Sequence, residues 1–367
     1  MPSLYVHIPF CLKKCLFCSF TVVIGQEHRV DDYLRALEGE ARRYSGQKVS
    51  TVYLGGGTPT FLSEGQLEEL FNLLRKHFIV APDAEFTIEA NPEGLSLKKA
   101  RILKEHGVNR VSLGVQSLND HFLKFMGRAH DSIQAREAFE ILRQAGFANL
   151  SVDLMFGFPQ QTDEELNEDL RELTKFNSEH VSVYSLTIEE NSRFHAQKIF
   201  LNPNDVQARQ YQLVVDSLNE YGFRQYEVSN FAKPSFESRH NLAYWSVGQE
   251  YIGLGIGAHS FWDGERFWNM TRLSKYLDLK PEESAVEGRE RLNPESRLME
   301  MFLIGLRLVD GIDVQRLEYE MDTKLSGRTL RQIEEYVEAG FFVRNGPQLK
   351  TTSSGRAVLD EIAVRLI

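Results

Sequence analysis

The sequence predicts an α/β fold, a partial (β/α)6 barrel of TIM type followed by a small, mainly helical C-terminal domain. Three observations predict it. Short β-branched stretches alternate with amphipathic helical ones from the start to about residue 230. Glycines close several of the helical stretches, at Gly107, Gly146 and Gly222. After Gly222 the alternation fades and another order of elements begins.

Taken in order, candidate strands lie at 4–7, 51–54, 85–89, 110–115, 151–155 and 181–186. Helical stretches fall between and after them, near 31–44, from Ser63 onward, and near 96–106, 131–145, 162–175 and 205–221. The one at Ser63 starts with a capping box to Gln66 and places Leu67, Leu70, Phe71 and Leu74 on one face. Repeated strand–helix units imply a parallel sheet with right-handed crossovers, and functional residues then gather at the carboxyl ends of the strands. Residues 1–230 are expected to form this barrel. Residues 231–290, aromatic-rich, glycine-rich and then polar, are expected to connect it to a third region, 291–367. There the order is three helices, a hairpin at 341–343 and 349–351 around Asn345-Gly346, and a last helix, which resembles a winged helix. Its helix near 326–339 carries Glu334, Glu335 and Glu338, which opposes DNA binding, so a lid or docking module is expected.

Composition narrows the function. The chain of 367 residues is 42% hydrophobic and 26% charged, with a net charge of −10 and no basic run, which disfavours a nucleic-acid partner. No secretory signal and no membrane-length apolar run is visible, so a cytoplasmic protein is expected. All three cysteines, Cys11, Cys15 and Cys18, fall within eight residues, too tight and too odd in number for a disulfide framework.

Their spacing is C-x3-C-x2-C, directly after the first strand. Three thiolates can hold three corners of a 4Fe–4S cubane and leave the fourth iron open to a small molecule. Zinc competes, but a closed structural zinc site takes four ligands, and the nearest extra donor, His7, sits in the preceding strand. With Phe17 before the last cysteine, the motif resembles that of the radical SAM superfamily. The resemblance implies S-adenosylmethionine (SAM) on the open iron and an electron donor where SAM is cleaved. It also implies that Gly56, Gly57 and Thr58, in the turn Gly55-Gly56-Gly57-Thr58-Pro59 after the second strand, meet the SAM amino group.

Polar residues stand at further strand ends: Glu89, Gln116, Arg128 and Asp153. A carboxylate can hold an ammonium, and an amide and a guanidinium can hold ribose hydroxyls and a carboxylate, which suits a zwitterionic nucleoside. Tyr5, six residues before Cys11, is a further candidate for contact with SAM.

The segments Tyr-Val-His-Ile-Pro-Phe-Cys, Gly-Gly-Gly-Thr-Pro-Thr, Glu-Ala-Asn-Pro-Glu, Gly-Val-Gln-Ser and Asp-Leu-Met-Phe-Gly-Phe-Pro together resemble a narrower group. It contains the oxygen-independent coproporphyrinogen III dehydrogenases (HemN) and their relatives, the HemW heme chaperones. Two departures separate the chain from the dehydrogenase: Phe20 stands where that enzyme has a further cysteine, and only ten residues precede Cys11. HemW-type proteins share both, together with His240-Asn241-Leu-Ala-Tyr244-Trp245. The resemblance implies heme as ligand and an acceptor hemoprotein as partner. His240 is a candidate heme ligand, flanked by rings that can pack on a porphyrin, and His259 is a second. Against this chaperone expectation stand a coproporphyrinogen III dehydrogenase and a metal-binding domain without turnover.

Overall fold

The computed structural model describes residues 1–280 and 282–366. Strands β1 (Ser3–Ile8), β2 (Gln47–Gly56), β3 (Phe78–Ala90), β4 (Arg110–Gln116), β5 (Leu150–Phe156) and β6 (His180–Ser185) lie parallel in chain order. Their register sets Val6 opposite Leu54, Leu54 opposite Ile88, Ile88 opposite Val111, and Val152 opposite Val181. Helices α1 (Val30–Ala41), α2 (Glu64–His77), α3 (Leu97–Glu105), α4 (Asp120–Met126), α5 (Ser132–Gln144), α6 (Asp163–Thr174), α7 (Arg193–Ala196) and α8 (Asn204–Glu220) follow the strands in turn. The capping box at Ser63–Gln66 forms, and two others start α5 and α6. All six predicted strands and the matching helices are therefore present, within a few residues of their expected ends except for β3, which starts at Phe78 rather than 85.

Period-two alternation explains how this sheet carries a site. Leu4, Val6, Ile8, Val52, Leu54, Ile88, Val111, Leu113, Val152 and Leu154 are buried in one apolar cluster with the inward stripes of the helices. The alternate positions, among them Tyr5, Tyr53, Glu89, Arg110, Asp153 and Tyr184, line the concave face. The main core thus lies between sheet and helices, and the inside of the barrel is left polar and partly open.

The boundary expected at residue 231 is not a structural one. After α8, β7 (Arg224–Gln225) and β8 (Asn230–Ala232) add antiparallel strands beside β6. The short helix α9 (Arg239–Trp245) follows, and β9 (Tyr251–Leu254) then returns to pair in parallel with β1. β10 (His259–Trp262), β11 (Glu265–Asn269) and, after α10 (Leu273–Leu277), β12 (Val286–Glu290) extend that edge antiparallel. Among the described residues this makes one sheet of twelve strands, β12-β11-β10-β9-β1-β2-β3-β4-β5-β6-β8-β7. Segment 231–290 is thus part of the sheet rather than a connection, because Ile252, Leu254, Ile256 and Tyr276 join the same apolar cluster as β1.

The C-terminal region has its own core. Helix α11 (Pro294–Gly305), strand β13 (Ile312–Asp313), helices α12 (Val314–Met321) and α13 (Gly327–Glu338), strands β14 (Phe342–Asn345) and β15 (Gln348–Thr351), and helices α14 (Ser353–Ala357) and α15 (Leu359–Leu366) follow in winged-helix order. Leu298, Phe302, Leu317, Ile333, Leu349 and Ile362 form a second apolar cluster. No helix among the described residues is long and apolar enough to cross a membrane.

Candidate functional site at the barrel mouth

The three cysteines lie in the loop that leaves β1 at the carboxyl end of the barrel. A short parallel bridge pins the loop's start, with Cys11 N–H donating to the Val23 carbonyl at 3.0 Å and Val23 N–H to Pro9 at 2.8 Å. Its middle is held by apolar anchors: Leu16 and Phe17 pack on the group formed by Phe122, Met126, Phe158 and Phe194. Leu16 N–H donates to Met126 at 2.9 Å and its carbonyl accepts from Phe194 at 2.9 Å. Helix α4 ends at Gly127, whose φ of +73° suits glycine, and a Cβ there would lie 3.1 Å from Leu16. That stop aims the next residue, Arg128, at the cysteines.

Arg128 donates to Cys15 Sγ at 3.3 Å, to Asn91 Oδ1 at 2.8 Å and to the Gly114 carbonyl at 2.8 Å. Asn91 donates to Thr58 Oγ1 at 3.0 Å, and Thr58 meets Cys11 Sγ at 3.3 Å. A hydrogen-bonded path thus joins two of the thiols through the ends of β2, β3 and β4. The sulfurs share one neighbourhood electrostatically. Burial raises the Cys11 thiol to about 11, and the charges of Cys18 and Cys15 add to that rise; burial also raises Cys18. Among the described residues no three His, Cys, Asp or Glu side chains converge on a single-ion position. Three thiols on one short loop suit a cubane, whose corner irons each take one sulfur, better than one tetrahedral zinc, which takes four ligands. The donor set fits a 4Fe–4S cluster.

The glycine turn after β2 is explained first by packing. Gly57 and Thr58 spend their N–H groups on the Ile8 and Phe10 carbonyls at 2.8 and 2.9 Å. A Cβ on Gly56, at φ +108°, would lie 2.4 Å from the His7 ring, and one on Gly57 2.7 Å from the Pro9 carbonyl. The glycines therefore let the cysteine loop lie flat on β2. His7 itself bonds Thr21 O at 2.8 Å and the Tyr5 hydroxyl at 3.0 Å, so both ring nitrogens are engaged and a fourth-ligand role does not fit.

Glu89 accepts from Gly56 N–H at 3.0 Å and from the Tyr53 hydroxyl at 2.9 Å. Burial raises its carboxyl to about 7, and Asp153 pushes the same way. Asp153 accepts from Ser112 at 2.9 and 3.1 Å and from Ser151 at 3.3 Å, and burial raises it too. Gln116 sits at φ +70°, a strained setting for a non-glycine residue and one that clusters at functional sites. The strain is held by Asp169 of α6, which accepts from the Ser117 hydroxyl at 2.6 Å and from Leu118 N–H at 3.0 Å. Sequence reasoning missed Asp169, Thr58's contact with Cys11, and Asn91; only Asn91 had a cue, its place in Glu-Ala-Asn-Pro. Glu89, Gln116, Arg128 and Asp153 all face the barrel mouth or its inner wall, as does Tyr5, whose ring stacks on Tyr53 with centroids 6.2 Å apart.

His240 lies elsewhere. Glu85, buried under the barrel, accepts from the Ser238 hydroxyl and from the N–H groups of Arg239 and His240 at 3.2, 2.9 and 2.9 Å, capping α9. The His240 ring is 1% exposed, bonds Thr51 Oγ1 at 2.8 Å and Tyr244 hydroxyl at 3.0 Å, and stacks on Tyr53. Burial lowers it to about 3, so it is neutral. Both ring nitrogens of His240, the first candidate heme ligand, are thus engaged, and the ring packs on the barrel floor. His259 on β10 is exposed, with its ring against Trp268 at 6.0 Å.

Residues 5–173 match the Radical SAM superfamily, and residues 292–358 match the HemN C-terminal domain. The chain is 37% identical to the heme chaperone HemW of Bacillus subtilis, covering 99% of this chain and 98% of that protein. It is 33% identical to that of Escherichia coli, over 98% and 96%. A solved structure of the Escherichia coli coproporphyrinogen III oxidase HemN, described as a radical SAM enzyme, superposes with a TM-score of 0.87 at 26% identity, covering 100% of this chain and 90% of that one. With identity of this order running through barrel and C-terminal domain alike, the chain belongs to the HemW family of the radical SAM superfamily.

Proposed function

We propose that this protein binds heme and hands it to an acceptor hemoprotein, while carrying a 4Fe–4S cluster on Cys11, Cys15 and Cys18 with exchangeable SAM beside it. The observation that carries the cofactor half is the path Cys11–Thr58–Asn91–Arg128–Cys15, which gives two thiols polar neighbours at the open end of the barrel. The heme half is supported by full-length likeness to proteins named heme chaperones.

When bound, the cluster supplies a one-electron reductant next to SAM, and all else falls to the chain's own groups. Glu89, with the turn at Gly56, Gly57 and Thr58, receives the SAM ammonium. Gln116 and Asp153 face the ribose, Arg128 offers its guanidinium to the carboxylate, and Phe17 and Tyr5 pack on the cofactor's apolar parts. Heme takes His259 as its iron ligand. That imidazole is exposed, and partial burial with Arg266 nearby lowers its pKa, which keeps it neutral, the form that ligates iron.

Anaerobic reconstitution followed by heme titration tests both halves. Cys15→Ala is expected to lose the cluster's absorbance and EPR signal and keep the Soret shift. His259→Ala is expected to lose the Soret shift and keep the cluster, whereas His240→Ala keeps both at a cost in stability. Soret loss in the His240 variant alone would reverse the heme assignment. Conversion of coproporphyrinogen III by the SAM-supplied, reduced protein would replace the chaperone reading with the dehydrogenase one.

A further inference from the structure

Glu93, the second glutamate of Glu-Ala-Asn-Pro-Glu, is joined to the cysteines through Asn91. It lies just past the end of β3, and its Oε1 accepts from Asn91 Nδ2 at 3.2 Å. Its Oε2 faces His130 Nδ1 at 3.1 Å. His130 stands two residues after Arg128, and its side chain is fully buried. The other ring nitrogen, Nε2, meets the Val115 carbonyl of β4 at 3.1 Å. A carbonyl and a carboxylate can only accept, so the ring donates from both nitrogens, as its charged form does. Burial alone would raise the Glu93 carboxyl, but the bond from His130 and the charge of Arg128 outweigh it and hold the group below the usual carboxylate value. An ionised carboxylate, anchored through His130 to the backbone of β4, thus stands directly behind Asn91.

That carboxylate removes a choice from Asn91. An amide can offer a neighbour either its oxygen or its nitrogen, and the two ends have nearly the same shape. Against a carboxylate only the nitrogen is favourable. Asn91 Nδ2 therefore gives one hydrogen to Glu93 and the other to Thr58 Oγ1, at 3.0 Å. Its Oδ1 is left for Arg128, which can only donate, at 2.8 Å. Gly114 makes room for this arrangement, since a Cβ there would lie 2.9 Å from Asn91 Oδ1. Having accepted from Asn91, the Thr58 hydroxyl has its own hydrogen free, and Cys11 Sγ lies at 3.3 Å to take it. Arg128 Nη1 turns a hydrogen to Cys15 Sγ, also at 3.3 Å. Both ends of the path present hydrogens to sulfur.

We propose that Glu93 and His130 are positioning residues that raise the reduction potential of the cluster, by fixing the Asn91 amide so that Thr58 and Arg128 donate to the sulfurs of Cys11 and Cys15. The inference rests on the cluster reading above. Hydrogen bonds to the ligating sulfurs favour the more electron-rich, reduced cluster and so raise its potential. Without Glu93, Asn91 is free to turn its oxygen to Thr58. The Thr58 hydroxyl then donates to that oxygen, Cys11 loses its donor, and Arg128 loses its acceptor. A carboxylate acting only through space predicts the opposite sign, because removing a negative charge makes an added electron more welcome.

The test is a reductive titration of the full-length protein, reconstituted anaerobically with iron and sulfide and followed by EPR without SAM. Glu93→Ala is expected to keep its iron and to be reduced about tenfold less readily, about 59 mV lower for one electron, the worth of roughly one charge-assisted hydrogen bond. Glu93→Gln, whose carbonyl still accepts from Asn91 while its amide faces His130, is expected to match or exceed the wild-type potential. A Glu93→Ala potential at or above wild type overturns the inference, as does an equal fall in Glu93→Gln. Thr58→Val removes only the hydroxyl at nearly constant volume, and it decides the matter if Glu93→Ala holds no iron. Its potential is expected to fall by the same tenfold factor, and a wild-type value there overturns the inference too. Wild-type protein that takes up no cluster sinks the reading beneath it instead.

Discussion

At the residue scale, the groups around the cysteines are poised rather than neutral bystanders. Glu89 is the clearest case, with its carboxyl raised to about 7 by burial and by Asp153. Receiving an ammonium requires the ionised form. SAM affinity should therefore rise about tenfold per pH unit below pH 7 and level off above it, since proton release accompanies binding only where Glu89 starts protonated. Isothermal titration from pH 5.5 to 8.5 on the cluster-loaded protein reads this, and Glu89→Gln should flatten the profile and weaken binding throughout. A profile unchanged by that substitution would put the titrating group elsewhere. The residues that matter most here were legible because their chemistry is rare: thiols at C-x3-C-x2-C and carboxylates at strand ends have few other reasons to recur in that order. Asp169 was not legible. It acts through a backbone turn, and a single acidic residue on an amphipathic helix looks like any solvated face until the turn it holds is seen.

At the element scale, the turn between β4 and α4 shows how a short segment controls the site from behind. Asp169 clamps Ser117 and Leu118, which fixes Gln116 in the left-handed region, and the stop at Gly127 then delivers Arg128. Asp169→Ala leaves the Leu118 N–H and the Ser117 hydroxyl buried without acceptors, a loss of about 2–4 kcal/mol in stability. Because Gln116 is then free to relax, SAM affinity should drop while iron content stays at wild-type level; equal loss of both would mean the clamp supports the cluster loop instead. The strands that the sequence showed are those where β-branched residues alternate without interruption. β9 to β12 were read as a connection because glycines break the pattern: a Cβ on Gly253 would lie 2.1 Å from the His259 carbonyl, and one on Gly288 2.3 Å from the Trp268 ring. Close packing of hairpin on hairpin demands those glycines, and in doing so erases the signal that marks a strand. Helix α4 escaped for another reason, being only seven residues long, too short for periodicity to register.

At the scale of the whole molecule, the motif His240-Asn241-Leu-Ala-Tyr244-Trp245 is a joint. Its helix is capped from the barrel by Glu85, its His240 and Tyr244 rings lie along the floor, and the Arg307 guanidinium of the C-terminal domain stacks on Trp245 at 4.6 Å. A second tie runs beside it, with Val309 N–H donating to the Tyr226 carbonyl at 3.0 Å and a bridge between Glu227 and Leu308. The two cores are separate, and further ties between them include Arg266 with Glu300 and the Ser353 hydroxyl donating to Gln212 at 2.6 Å. Trp245→Ala removes one face of that joint, with a loss of about 1–2 kcal/mol or more from the stacked guanidinium and the packing around it. The cluster loop stands at the opposite end of the strands, so iron content should not change. Looser docking should quicken hydrogen exchange in segment 291–310 of Trp245→Ala. Exchange in that segment at the wild-type rate would show that the stack of Arg307 on Trp245 carries no share of the docking.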